Sequence, residues 1–354
     1  MSEIPRGAIR FNTDSNKPEL WDGSQWAEFQ LSTPNLGRGA DTEPGARGVF
    51  VGGYIGSGPT LNTANSDYIN IASTGDAQNF GDLAQGLRYA AGCSSNTRGL
   101  TFSGYNGTAT ITTIYKTTIA STGSHASFGD VTPAGRYGHS CWSSQTRAIM
   151  FSGAVPGAQD GKIKYVTIAS EGDTVDFGDL NSYNFRYGSS TGNRTRAIAM
   201  GGFQDTPLTT GAVNTIQFVT ISTLGNGQDF GELTVASSDG NGSTSNGIIS
   251  VVALRDNSFS STTLDQLRPN ILSNSYSFGD LSASRVYSPN HSCMSSPTRG
   301  IFGGGVASPA TPTDVIDYVS FATEGDAVDF GDMVGNSGNG YSAYSSFSNA
   351  HGGL

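Results

Sequence analysis

Lysine is almost missing from this chain: Lys17, Lys116, Lys162 and Lys164 are the only four in 354 residues. Charged residues of both signs make up only 14%, with 29 acidic against 19 basic side chains and a net charge of −10. No basic cluster occurs, and phosphate binding needs a concentrated Lys/Arg footprint, so no nucleic-acid partner is expected. Long apolar runs are also lacking. The longest, Ile248 to Leu254, falls far short of the roughly 20 residues a membrane-crossing helix needs, which predicts no membrane insertion. Three cysteines (Cys93, Cys141, Cys293) cannot all pair and form no CxxC or Cys/His pattern. They predict free thiols acting as small buried apolar groups, with no disulfide framework and no metal centre. The start MSEIPRGAIRF lacks the basic n-region and apolar core of a secretory signal, so export through a cleaved signal peptide is not expected. The glycine-rich GSGPT near Gly56 is followed by no GKS or GKT, and no cofactor is expected.

Glycine and aromatic residues are plentiful: 49 Gly, 14 Tyr, 18 Phe and 3 Trp. Disordered chains are poor in aromatics, whereas short apolar runs broken by Gly- and Ser-rich stretches read as many short strands joined by tight turns. The aromatic residues recur with a period. Phe80-Gly81-Asp82-Leu83 is followed by matching segments at Phe128, Phe177, Phe230, Phe278 and Phe330, at intervals of 48, 49, 53, 48 and 52 residues. A Thr-Arg pair leads a strand ending in small residues from Thr97, Thr146, Thr195 and Thr298, with a degenerate copy from Ser245 and an earlier one, ARGVFVGG, from Ala46. Segments such as KYVTIASEGD from Lys164 alternate apolar and polar residues before turning at Gly, the mark of a strand with one buried face. In the fifth unit this segment, LDQLRPNILSNS, has diverged most.

Each unit therefore holds about four strands, which predicts an all-β fold: a β-propeller of about six blades over residues 45–354. The last unit stops where its Thr-Arg strand should begin, and Arg47 to Gly53 supplies that strand, so ring closure through it is expected. The internal order resembles the kelch repeat. Its clearest copy runs from Phe128-Gly129-Asp130-Val131 through Arg136 and His139 to Phe151-Ser152-Gly153. Departures are frequent: the glycine pair is read only at Gly52-Gly53, Gly201-Gly202 and Gly303-Gly304, and Phe replaces Trp.

Residues 1–30 lie outside the repeat and read as a small β-hairpin or meander, with strands at Ala8 to Phe11, at Glu19 to Trp21 and around Trp26. Such a meander buries little by itself and is expected to pack on something else or to trimerise. Residues 31–44, with Pro34 and Pro44, read as a linker. The pattern Gly-Ala-Ile-Arg-Phe-Asn-Thr-Asp, then Leu-Trp-Asp-Gly-Ser-Gln-Trp, looks like the short module common in tail-fibre and other virion proteins of tailed bacteriophages, where it precedes a larger, variable domain. The Phe-Gly-Asp-Leu repeat also resembles propeller repeats of phages of marine bacteria. The resemblance implies a virion location, with residues 1–30 attaching to other virion proteins or forming a homo-trimer. Phe11, Trp21 and Trp26 are the anchor candidates.

The repeated Asp82, Asp130, Asp179, Asp280 and Asp332, and the repeated Arg47, Arg98, Arg147, Arg196 and Arg299, invite a functional reading as a charged ring. A residue shared by every blade belongs first to the shared scaffold, so the Asp are expected to cap turns and the Arg to bridge blades. Of His125, His139, His291 and His351, the second and third occupy equivalent positions and read as framework. Gly172 to Asp179 carries three carboxylates that suit either Ca²⁺ or a solvated turn, with the turn preferred. The variable loops after the small-residue strands are the candidate binding face: residues 54–66, 105–110, 154–162, 203–213 and 306–314. They are rich in Thr, Asn, Gly and Tyr and join equivalent strands, so they emerge together, either as a ligand surface or as plain connectors. The resulting expectation is a non-enzymatic virion protein whose propeller binds the host surface, with a glycan as one candidate ligand. Capsid decoration or a tail adaptor is the alternative, and a propeller glycan hydrolase or lyase the third reading.

Overall fold

The computed structural model describes residues 5–12, 17–28, 47–56, 61–155, 158–181, 184–205, 210–237, 242–255, 262–285, 294–307, 311–334 and 340–354. The chain divides into two units, residues 1–39 and 40–354. The first holds a three-stranded antiparallel meander, Ile9–Asn12, Lys17–Trp21 and Trp26–Glu28. Its second turn is tied by Asp22, whose Oδ1 accepts the N–H groups of Ser24 and Gln25; these bonds, that from Gln25 foremost, hold the carboxyl below its usual range.

The second unit is an all-β propeller of six blades. Blade 2 shows the plan: Ala91–Ser94 innermost, then Arg98–Tyr105, Thr110–Thr118 and Ala126–Asp130, each antiparallel to the next. Blade 1 is shared between distant parts of the chain. Its inner strand is Ser345–Ser348, paired with Arg47–Val51, followed by Asn65–Asn70 and Gln78–Asp82. In blade 6 the inner position is described at the bridge Ser295↔Gly300. The diverged fifth unit still pairs normally through Thr263–Leu267.

Serine holds the axis. Ser348 Oγ donates to Ser295 O (2.8 Å), Ser295 to Ser245 O (2.6 Å), and Ser245 to Gly192 O (2.8 Å). Ser143 donates to Ser94 O (2.8 Å), and Ser94 to Ser348 O (2.6 Å). Each link joins neighbouring inner strands and satisfies a buried carbonyl, which is why small hydroxyl residues stand where a solid core would be apolar. The segment Asn349 to Leu354 then packs across one end of the axis. His351 Nε2 lies 3.0 Å from Ser94 O and 3.3 Å from Ser143 Oγ, and Gly352 N donates to Ser245 O.

The Phe-Gly-Asp motif marks where blades meet at the rim. Phe80, Phe128, Phe177, Phe230, Phe278 and Phe330 are all buried. The glycine is required by close approach: a Cβ on Gly129 would stand 2.2 Å from Gly172 O in the turn of the next blade, and one on Gly279 would stand 2.3 Å from Gly325 O. The same turns donate back to the motif, as in Gly172 N to Phe128 O (3.1 Å) and Gly75 N to Phe330 O (2.8 Å).

The repeated arginines bridge blades. Arg98 Nη1 reaches Ile168 O (2.7 Å), Arg147 reaches Ile221 O (3.0 Å), Arg196 reaches Pro269 O (3.0 Å), Arg47 reaches Ile119 O (3.0 Å), and Arg299 reaches Ile71 O (3.2 Å). The aspartates depart from expectation. The turn-capping side chains are Asp76, Asp173, Asn226, Asn274 and Asp326, which accept the main-chain N–H of the motif's acidic residue in the preceding blade. The motif's own Asp130 and Asp280 instead take the hydroxyls of Thr112 and Thr262, and Asp179 pairs with Lys162. Turn geometry decides this: the residue after the turn glycine, or after Ser273 in its place, is the one aimed across the junction. The glycine pair of blade 6 is also displaced by one. Gly304 and Gly305 (φ 55° and 102°) match Gly52-Gly53 and Gly201-Gly202, not Gly303-Gly304.

Candidate binding face

Each Arg-led strand ends in such a pair of left-handed residues, and the second one donates its N–H to the chain approaching the next blade: Gly53 to Leu87 O, Gly104 to Arg136 O, Gly153 to Phe185 O, Gly202 to Ser237 O. The variable loop starts at the following residue. Tyr54, Tyr105, Ala154 and Phe203 open the loops at 54–66, 105–110, 154–162 and 203–213, and Val306 opens that at 306–314. Residues 57–60, 156–157, 206–209 and 308–310 of these loops lie outside the described residues. Side chains tie neighbouring loops together, with Asn62 Nδ2 donating to Tyr105 O and Gln159 Nε2 to Phe203 O, both at 3.1 Å.

Every loop start for which a bridge is described faces the residue that leads into its blade's inner strand: Tyr54↔Ser342, Tyr105↔Arg88, Ala154↔Tyr137 and Phe203↔Arg186. The residue after each partner is left-handed: Ala343 at φ 55°, Tyr89 at 58°, Gly138 at 65° and Tyr187 at 62°. For residues other than glycine this conformation is costly and persists only where surroundings impose it. Here a relay of main-chain bonds imposes it: Tyr89 N to Ala343 O (2.8 Å), Gly138 N to Tyr89 O (3.1 Å), Tyr187 N to Gly138 O (2.6 Å).

That turn swings the tyrosines toward the axis. The rings of Tyr89 and Tyr187 belong to blades 2 and 4, which are not neighbours, yet their centroids are 5.6 Å apart. Tyr137 of blade 3 joins both, at 6.1 and 6.2 Å, and Tyr105 lies 6.4 Å from Tyr137. The triad thus covers the loop-face mouth of the axis. Gly138 makes room for it, since a Cβ there would be 2.5 Å from the Tyr187 ring. Arg88 stacks on Tyr54 (5.0 Å), Tyr89 (5.3 Å) and Tyr105 (5.2 Å), and Arg186 stacks on Tyr187 and Phe203 (both 5.2 Å). All these side chains are half-buried, so the cluster forms an open platform of aromatic faces and two guanidiniums. Such a surface offers stacking area and hydrogen-bonding groups at low conformational cost.

Of the sequence candidates, the loop starts Tyr54, Tyr105 and Phe203 join this cluster. Arg88, Tyr89, Tyr137, Arg186 and Tyr187 were not singled out, although an Arg-Tyr dipeptide at 88–89, 136–137 and 186–187 signals them. In blade 3 the dipeptide sits one residue further from the inner strand. Arg136 is therefore buried against Asp160 (2.6 Å), while Tyr137 takes the bridging place. Of the three carboxylates of Gly172 to Asp179, Asp173 takes Asp130 N, Asp179 pairs with Lys162 and Asp176 is exposed, and among the described residues no cluster suited to a metal ion exists. Cys93 and Cys141 are buried and in no disulfide; Cys293 and His291 lie outside the described residues. In the N-terminal unit Trp21 and Trp26 face each other in register at 5.5 Å, with Arg10 stacked on Trp26 at 4.2 Å. Phe11 falls on the opposite side of the meander with Ile9, and the two are 58% and 68% exposed. The chain matches no protein-family model and no curated protein.

Proposed function

We propose that this chain is a non-enzymatic virion component of a tailed bacteriophage, whose propeller binds a host-surface glycan through its loop face. The observation that carries the binding reading is the tyrosine triad of Tyr89, Tyr137 and Tyr187, flanked by the stacked Arg88 and Arg186. Flat aromatic faces pack against the apolar faces of sugar rings, while phenol and guanidinium donors meet their hydroxyls. The repeated arginines serve blade junctions and the repeated Asp130, Asp179 and Asp280 bond within their own blades, which leaves the non-repeated face as the surface free to vary with a ligand. The virion reading rests on the resemblance of residues 7–26. The exposed Ile9 and Phe11 support attachment there, since a partner or second copy would cover them.

Two measurements on the full chain test this. Surface polysaccharide extracted from host cells is expected to bind wild type and to lose at least tenfold in affinity to Tyr137→Ala, with the unfolding midpoint little changed. Binding that Tyr137→Ala leaves intact removes the triad from the reading. Immunogold labelling of purified particles is expected at the tail. Label over the head favours capsid decoration, and particles without the protein overturn the virion assignment.

A further inference from the structure

Arginine is used sparingly in this chain, and nearly every described one in the propeller is committed to an acceptor. Arg47, Arg98, Arg147, Arg196 and Arg299 donate across blades, and Arg136 and Arg285 pair with Asp160 and Asp317. Arg88 and Arg186 differ. Among the described residues no carboxylate and no carbonyl accepts from either guanidinium, and the Nε of each is buried without a hydrogen-bond partner. Their only described side-chain contacts are the faces of five aromatic rings. In a chain with 29 acidic residues, these two cations at one mouth of the axis thus have no acidic partner among the described residues.

We propose that Arg88 and Arg186 make the loop face a site for an anionic saccharide, one bearing carboxylate or sulfate groups. This rests on the glycan-binding reading above and names the ligand class. Stacking holds a guanidinium flat and leaves its in-plane N–H donors for an oxyanion, which it takes in a two-pronged geometry. The two charges are linked through ring contacts of 5.3, 5.6 and 5.2 Å, from Arg88 to Tyr89, Tyr89 to Tyr187 and Tyr187 to Arg186. A sugar lying over those rings has a cation on either side. The net charge of −10 does not oppose this at physiological salt, where repulsion fades beyond about 8 Å while direct contacts persist.

The test is binding of the full chain to polygalacturonate, dextran sulfate and uncharged dextran at 0.15 M salt, roughly physiological ionic strength. Wild type is expected to bind one or both polyanions and not dextran, with affinity falling as salt rises. The double variant R88Q/R186Q is expected to lose at least tenfold with an unchanged unfolding midpoint. If it fails to fold, R88K/R186K, which keeps charge and loses the planar fork, is expected to show the same loss in reduced measure. Binding of polygalacturonate alone assigns a carboxylate ligand, and of dextran sulfate alone a sulfate one. Equal binding of all three polymers, indifferent to both double variants but lost in Tyr137→Ala, overturns the anionic inference and leaves the glycan reading standing. Binding of none overturns both.

Discussion

Trp142 donates its indole N–H to the carbonyl oxygen of Asn193 at 3.1 Å, across the one junction where the serine ring of the axis has no serine to use. At the other five junctions the residue at this position supplies the hydroxyl; here it is Gly192, and the hydroxyl that crosses, from Ser190 to Cys141 O (2.7 Å), comes from two residues earlier on the strand. A Cβ there would stand 2.1 Å from Arg196 O and 2.9 Å from Trp142 Nε1, so the indole and a side chain at 192 exclude one another. Trp142→Phe is therefore expected to destabilise the propeller by about 1–3 kcal/mol in urea unfolding, the cost of a buried acceptor losing its donor. Gly192→Ser is expected to lose stability as well. A gain would show that the ring prefers the hydroxyl.

Ser348 makes the closing contact of the ring in both directions, taking the N–H of Ser295 at 3.0 Å and donating to its carbonyl at 2.8 Å. Ser348→Ala leaves both groups buried and unpaired, with an expected loss of about 2–4 kcal/mol, the sum of two typical desolvation costs. The exposed Ser127→Ala is the control and should stay within about 0.5 kcal/mol of wild type. Equal midpoints for the two variants would mean that water enters the axis and satisfies the pair.

The propeller was legible because its blades touch through main chain. Phe-Gly-Asp recurs since a carbonyl of the next blade passes where a Cβ would be, and such a constraint writes the same residue six times. Left-handed pairs were less legible. Ser103 and Ser152 hold φ of 45° and 49° and are stabilised by hydroxyl bonds to Arg136 O and Phe185 O, so the glycine signal is missing where the geometry persists. The binding face was half legible. Loop starts follow from the repeat, but the tyrosine triad depends on rings from blades 2 and 4 meeting across the axis. A single-residue offset separates the half-buried Arg88 and Arg186 from the fully buried Arg136, and only the ladder register reveals it.

Gly129 and Gly172 separate two reasons for glycine at one junction. Gly129 has no left-handed backbone, but its Cβ would stand 2.2 Å from Gly172 O. Gly172 has φ 156° and open space around it. Gly129→Ala must push two blades apart and is expected to cost about 3 kcal/mol, the upper range for overpacking. Gly172→Ala meets backbone strain alone and is expected to cost about 1 kcal/mol. Chemical denaturation ranks them, and the reverse order would place the constraint in the turn instead of the contact.

Three buried histidines tie stability to pH. Burial pushes His125 and His351 down to about 4; burial, followed by the charge of Arg136, takes His139 to about 3. Each therefore stays neutral in the fold while the unfolded chain takes up a proton near pH 6.5. Between that pH and the folded values the unfolded state binds more protons, so their contribution is complete above about 6.5 and is lost as pH falls. The slope approaches about 1.4 kcal/mol per pH unit for each histidine. Unfolding free energies between pH 7 and 5, above most carboxylate titration, should show this decline. His351→Gln should lower stability at pH 7, because its ring contacts Ser94 O and packs at 5.0 Å on Trp142, and should also flatten the slope by one proton. An unchanged slope would mean that the ring is protonated in the fold, held by the carbonyls around the axis.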